Sequence, residues 1–190
     1  MKPEQMLIIG LVGERRSGKD TVCEILQKIS GEKFERAAFA DELKRQVAKI
    51  FGISIDKLNA IKALPPVRHL LQWYGTDYVR YLEGENYWVD QLQLLLHQSN
   101  ASCWIITDVR FQNEANWVKK FPHHVLFRVV RETVAKEALA DSHASETELK
   151  SIDTDFIINN SGDLCDLNVA VCAAYKQVVL PKLIVMQSTH

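Results

Sequence analysis

Gly10-Leu11-Val12-Gly13-Glu14-Arg15-Arg16-Ser17-Gly18-Lys19-Asp20-Thr21 decides the fold. The apolar run before it, Met6-Leu7-Ile8-Ile9, reads as a buried strand. The stretch after it, Val22-Cys23-Glu24-Ile25-Leu26-Gln27-Lys28-Ile29, carries apolar residues at helical spacing. A strand, a loop with glycine at both ends, a lysine and a helix together make a phosphate cradle. Backbone N–H groups of the loop and the helix N-terminus point at the anion, and the helix dipole adds to the attraction. Lys19 is placed to bridge the outer phosphates. The usual form of this loop has Ser or Thr directly after the lysine to hold Mg²⁺. Here Asp20 takes that place and Thr21 follows. A carboxylate oxygen is also a hard ligand, so Asp20 can hold the ion directly or through a water. The alternative is a plain glycine turn with Asp20 capping a helix. The flanking strand and helix favour the cradle.

The remaining composition narrows the class. A chain of 190 residues with 47% hydrophobic content suits a single domain with an ample core. The formal net charge of -1, with acids and bases mixed, argues against a nucleic-acid-coating or membrane-surface protein. Cys23, Cys103, Cys165 and Cys172 form no C-x-x-C pair and have apolar neighbours, as expected of small buried hydrophobes in a reducing compartment. The six histidines make no metal pattern, and His123-His124 reads as a loop-to-strand junction. The apolar N-terminal run is short and leads straight into the loop, unlike a signal peptide. No apolar stretch is expected to span a bilayer. These features predict a cytoplasmic protein, in the host cytoplasm if a phage encodes it. The sequence does not fix the oligomeric state, and a homodimer is compatible with it.

Strands are predicted at Met6–Val12, Cys103–Thr107, Val125–Val130 and Phe156–Ile158, with a weaker candidate at Phe34–Phe39. Helices are predicted at Asp20–Ser30, Asp41–Phe51, Val67–Leu82, Tyr87–Gln98, Asn113–Lys119 and Leu164–Val179. The alternation argues for a parallel sheet with helices on both faces, with ligands beyond the carboxyl ends of the strands. The helical stretch between Asp41 and Gln98 is too large for a simple crossover and suits a substrate-clamping arm. Arg131–Asp155, polar and rich in small residues, has the character of a lid. Gln187-Ser188-Thr189-His190 is expected to fray.

Polar residues wait at the strand ends. Trp104-Ile105-Ile106-Thr107 runs into Asp108-Val109-Arg110, the form of a second metal-holding element, with Arg110 facing the phosphates. Asn113 and Glu114 belong either to that site or to the cap of the next helix. Arg68, Gln72, Thr76 and Arg80 recur every four residues and so line one side of a helix. Two arginines and an amide can grip a phosphate and a base edge; the alternative is a solvated face. Gly75 weakens an uninterrupted helix there. Asp41 and Lys44 either face ligand or merely open a helix. Trp88 either stacks on a base or belongs to the core with Val89, Leu92 and Leu95. Asn160-Ser161-Gly162 is turn chemistry that can also frame an adenine edge.

Several segments, in order and over nearly the whole chain, resemble the phage-type deoxynucleoside monophosphate kinases. They are Arg16-Ser17-Gly18-Lys19-Asp20-Thr21, Ala40-Asp41-Glu42-Leu43-Lys44, Arg68 with Gln72-Trp73-Tyr74-Gly75-Thr76-Asp77, Thr107-Asp108-Val109-Arg110-Phe111 with Asn113-Glu114, and His143 with Ser145-Glu146. The Gly-Lys-Asp-Thr form makes Asp20 a trait of that family. The string Arg15-Arg16-Ser17-Gly18-Lys19-Asp20 also resembles animal phosphomevalonate kinases.

The resemblance implies an α/β P-loop kinase fold. This is a three-layer sandwich around a parallel five-stranded sheet, with a helical arm for the nucleoside monophosphate at about 41–100 and a short lid at about 131–154. It implies ATP as phosphoryl donor, Mg²⁺, and a deoxynucleoside monophosphate as small-molecule acceptor, with no stable nucleic-acid or membrane partner. Gly13, Arg15, Arg16, Ser17, Gly18, Lys19, Asp20, Thr21 and Asn160 would then hold ATP. Asp41, Lys44, Arg68, Gln72, Thr76, Arg80 and Trp88 would line the acceptor site. Lys19, Asp108, Arg110 and Arg131 would serve the transfer, with Asp20 and Asp108 toward the metal and His143, Ser145 and Glu146 closing the lid. Two other readings stay open: a related kinase acting on phosphomevalonate or dephospho-coenzyme A, and a nucleotide-binding regulatory module.

Overall fold

The computed structural model describes residues 3–31, 34–132 and 148–188. It contains five strands: β1 (Leu7–Val12), β2 (Phe34–Ala37), β3 (Cys103–Val109), β4 (His123–Val130) and β5 (Phe156–Asn159). All pair in parallel, in the order β2-β3-β1-β4-β5. All six residues of β1 are buried, as a central strand covered on both faces requires. The sheet's neighbours change side at β1, so the crevice beyond its carboxyl end is the switch point where open α/β sheets bind ligands. This is the α/β architecture around a parallel five-stranded sheet that the sequence predicts.

The chain forms two compact units, one of Met1–Ala37 with Ser99–His190 and one of Ala38–Gln98. In the first, α1 (Lys19–Ile29) packs on one sheet face together with a long C-terminal helix. Leu7, Ile9, Phe127 and Ile158 meet Val22, Leu26, Leu167 and Val171 there. A shorter helix, α7 (Gln112–Lys119), packs against β1 and β4. In the second unit lie α2 (Phe39–Ile50), α3 (Ile55–Ile61), α4 (Pro65–Gln72), α5 (Val79–Glu83) and α6 (Tyr87–Gln98). Val47, Ala48 and Leu58 form its small core with Leu43, Leu70 and Leu71.

Two differences from the sequence reading concern the C-terminal helix. The C-terminal helix does not stop at Val179. It runs as α8 (Leu164–Ala174), a π-helical turn (Tyr175–Val179) and α9 (Leu180–Ser188), so Gln187 and Ser188 are helical rather than frayed. Pro181 has no N–H for the carbonyl four residues back and would crowd it; the widened turn just before absorbs that mismatch. By length and composition alone, Leu164–Met186 could cross a membrane, contrary to the expectation from sequence. Its inward residues Leu167, Val171, Val179 and Leu183 belong to the core of the first unit. Residues 148–155, at the end of the expected lid segment, are tied to the first unit. Leu149 is fully buried, and Asp155 bonds Leu126 through both its own N–H and its carboxylate, at 2.8 and 2.7 Å. His143, Ser145 and Glu146 lie outside the described residues.

Cys23 sits in the buried face of α1. Burial pushes its thiol up from the ordinary 9.0 to about 11, with Arg36 pulling down and Asp20 and Glu24 pushing up. Folding therefore favours the protonated thiol, and this contribution to stability is lost as pH rises from 9.0 toward about 11. At pH near 8 a thiol reagent is expected to modify exposed Cys165 and spare Cys23, as peptide mapping by mass spectrometry would show.

Candidate functional site

The loop Gly13–Gly18 follows β1 directly. Gly18 stands at the N-cap of α1 with φ 100, a left-handed conformation that favours glycine, and its Cα abuts the Asn160 amide. The helix therefore opens at Lys19, and Asp20 occupies its first turn rather than the cap, where its charge complements the dipole. Arg16, at φ 64, is the only described residue other than glycine with positive φ, a strained backbone of the kind that gathers at functional sites. The Lys19 ammonium donates to the Gly13 and Glu14 carbonyls, each at 2.7 Å. It thus lies across the mouth of the loop. Ser17 is fully buried and its hydroxyl has no hydrogen-bond partner among the described residues. A buried orphan hydroxyl costs free energy unless something satisfies it, so the loop fits an oxygen-rich ligand.

Because the strands are parallel, the other candidates of this unit leave the sheet along the same edge. Between Gly10 and Val12 of β1 the facing strand β3 uses one residue more, Ile106 to Val109. This irregularity falls at Thr107-Asp108, and such bulges re-aim side chains beside sites. Asp108 emerges half-buried there, and Arg110, also half-buried, follows it. Glu114 is almost fully buried and takes the backbone N–H groups of Arg110 and Phe111, at 2.8 and 3.1 Å. Its role is therefore the helix cap, one of the two alternatives left open by the sequence. Arg131 lies exposed just past β4. Asn160, at the end of β5, donates from its side chain to the Ser17 carbonyl at 2.7 Å and from its backbone to Val130 at 2.7 Å. It braces the phosphate loop against β4.

In the second unit, Asp41 does not cap a helix: α2 opens two residues earlier, and Asp41 pairs with Lys44 at 3.2 Å. Arg68, Gln72, Thr76 and Arg80 lie on one continuous helical stretch, α4 through a π-helical turn (Trp73–Tyr78) into α5. An α-helix drifts by about 40° for every four residues, so a row at this spacing would wind away. The wider π turn takes more residues per revolution and offsets that drift. All four side chains are partly buried, whereas His69, Trp73, Asp77 and Tyr81 are exposed, so this is not a solvated row. Gly75 lies in the π turn because a Cβ there would run into Leu43 of α2. Trp88 does not offer a face for stacking. It is only 4% exposed, its indole N–H donates to the Gly75 carbonyl at 2.8 Å, and Tyr87 packs on its edge. Of the two readings that the sequence leaves open for Trp88, this burial favours the core. Gln46, overlooked in the sequence, joins Tyr87 and Tyr74 at 2.9 and 3.2 Å.

Comparison with known proteins places these features. Residues 53–171 match the deoxynucleotide monophosphate kinase family. The chain belongs to that family. A protein of Acanthamoeba polyphaga mimivirus, provisionally named a deoxynucleotide monophosphate kinase, is 31% identical over 82% of this chain and 89% of its own. The solved structure of TT1252 from Thermus thermophilus is similar in fold, with a TM-score of 0.52 at 20% identity over 91% of this chain and 98% of the other. The chain is thus a phosphotransferase of the P-loop class, and members of such a family act on small molecules.

Proposed function

We propose that this protein transfers the γ-phosphoryl group of ATP to a deoxynucleoside monophosphate, yielding the diphosphate and ADP. The observation that carries this reading is the phosphate loop, with its Lys19 ammonium across the mouth and Ser17 hydroxyl unsatisfied beneath. An acceptor phosphate oxygen forms the new bond to γ-phosphorus as the bond to the ADP oxygen breaks. The acceptor is already anionic at neutral pH, so no strong base is needed. Catalysis then rests on position and charge: Lys19, Arg110 and Arg131 stabilise the spreading negative charge. Asp20 and Asp108 would hold Mg²⁺, which when bound neutralises phosphate charge. The described residues contain no cluster of three or more metal-ligating side chains, which suits an ion that keeps its waters and phosphate oxygens. Arg68, Gln72, Thr76 and Arg80 of the second unit bind the acceptor in this reading. The setting is cytoplasmic.

The test is ADP formation from ATP and Mg²⁺ with each deoxynucleoside monophosphate, each ribonucleotide, phosphomevalonate and dephospho-coenzyme A offered separately. Stimulation by deoxynucleoside monophosphates is expected. Stimulation only by another acceptor reassigns the substrate, and silence with tight ATP binding favours a regulatory module. Arg68→Ala is expected to lower kcat/KM for the acceptor by about ten- to a hundredfold, the worth of a charged hydrogen bond, with KM for ATP unchanged.

A further inference from the structure

Three consecutive backbone N–H groups leaving β3 are taken by carboxylates. Glu114 accepts from Arg110 and Phe111 at 2.8 and 3.1 Å, and Glu148 accepts from Gln112 at 2.8 Å. Glu114 reaches back from its own helix, but Glu148 arrives from 36 residues further on. Its mounting is rigid. The next residue, Leu149, is fully buried, and Ile152 is 3% exposed. The Arg128 guanidinium, from the middle of β4, donates to the carbonyls of both Leu149 and Ile152. Ser151 closes the turn by donating its hydroxyl to the Glu148 carbonyl at 2.8 Å. The backbone that carries Asp108 and Arg110 is therefore clamped from two sides, one local and one distant.

We infer that Glu148 is a positioning residue for the transfer reaction, fixing the Asp108–Arg110 turn through the Gln112 N–H, with Arg128 holding Glu148 in place. This rests on the kinase reading, since it assigns that turn a role in transfer. Small displacements of a charge-stabilising group lower turnover steeply. Glu148→Ala removes the acceptor; Glu148→Gln keeps an oxygen at the same reach. Glu148→Ala is expected to lower kcat by about ten- to a hundredfold with KM for ATP unchanged, and Glu148→Gln to recover most of it. Arg128→Met is expected to reproduce the kcat loss.

The experiment measures kcat, KM and amide hydrogen exchange at residues 110–112 in wild type, Glu148→Ala and Glu148→Gln. Faster exchange and lower kcat in Glu148→Ala, both restored by Gln, support the assignment. Unchanged exchange overturns it, as does faster exchange with kcat within about twofold of wild type. If Glu148→Ala fails to fold, the folded Gln variant decides: near wild-type kcat and exchange support positioning by the oxygen, and a loss as deep as Arg128→Met overturns it. A wild type silent on every acceptor overturns the proposed reaction and this role together, whereas an active wild type with an unaffected Glu148→Ala overturns this role alone.

Discussion

Lys19→Ala is expected to lose at least about a thousandfold in turnover while keeping its fold. The two halves of that expectation come from the same contacts. The ammonium is bound to two backbone carbonyls, Gly13 and Glu14, both at 2.7 Å. A phosphoryl group in transfer spreads charge over its oxygens, and a fixed cation beside it costs no reorganisation at that moment. Water cannot supply an equivalent mounted charge, so the loss falls on kcat. Stability is another matter. The Gly13 carbonyl is released into a buried setting and the Glu14 carbonyl into a half-buried one, and the expected cost is about 1–3 kcal/mol. Lys19→Met keeps the side-chain stem and separates packing from charge. The checks are kcat with the best acceptor and thermal unfolding of each variant. A folded Lys19→Ala protein with turnover within about tenfold of wild type would remove the loop from the mechanism.

The loop was legible because its signals are local. Two glycines, a lysine and flanking periodicities fall within a short stretch, and each has one structural use. Strand β1 was legible for the same reason, since an unbroken apolar run can only be a covered strand or a buried helix, and the glycines after it choose. Helix α3 was missed because it is only seven residues long, although Ile55, Leu58 and Ile61 fall at helical spacing. A second signal was Ser54, whose hydroxyl caps the Lys57 N–H at 3.2 Å. The continuation past Val179 was hidden because Pro181 reads as a stop, and only a π turn makes it tolerable. Asp108 was visible as a strand-end carboxylate, but the extra residue that turns it outward belongs to strand register, which no single strand encodes. Glu148 had no local signal at all. Arg128 had one: it is a lone cation inside the otherwise apolar Val125–Val130, and such a cation needs partners.

Trp88 separates structure from binding most sharply. Trp88→Ala is expected to destabilise the protein by about 3–5 kcal/mol, the usual cost of deleting a large buried aromatic. The ring is 4% exposed among Val89, Leu92 and Tyr87, and its N–H is spent on the Gly75 carbonyl at 2.8 Å. That bond matters because it sits in the π turn. The Gly75 carbonyl belongs to a turn whose hydrogen bonding is already irregular, and Leu43 leaves no room for a side chain on the same residue. The indole thus ties down the widened turn, and the widened turn is what keeps Thr76 and Arg80 in line with Arg68 and Gln72. Trp88→Phe preserves most of the packing and leaves the carbonyl without its donor, at about 1–2 kcal/mol. Denaturant unfolding measures both costs. Acceptor kinetics of Trp88→Phe give the contrast: a stacking residue would raise KM for some bases more than others, whereas a structural lock shifts all acceptors together. Base-dependent losses in a folded Trp88→Phe protein would return Trp88 to the binding site.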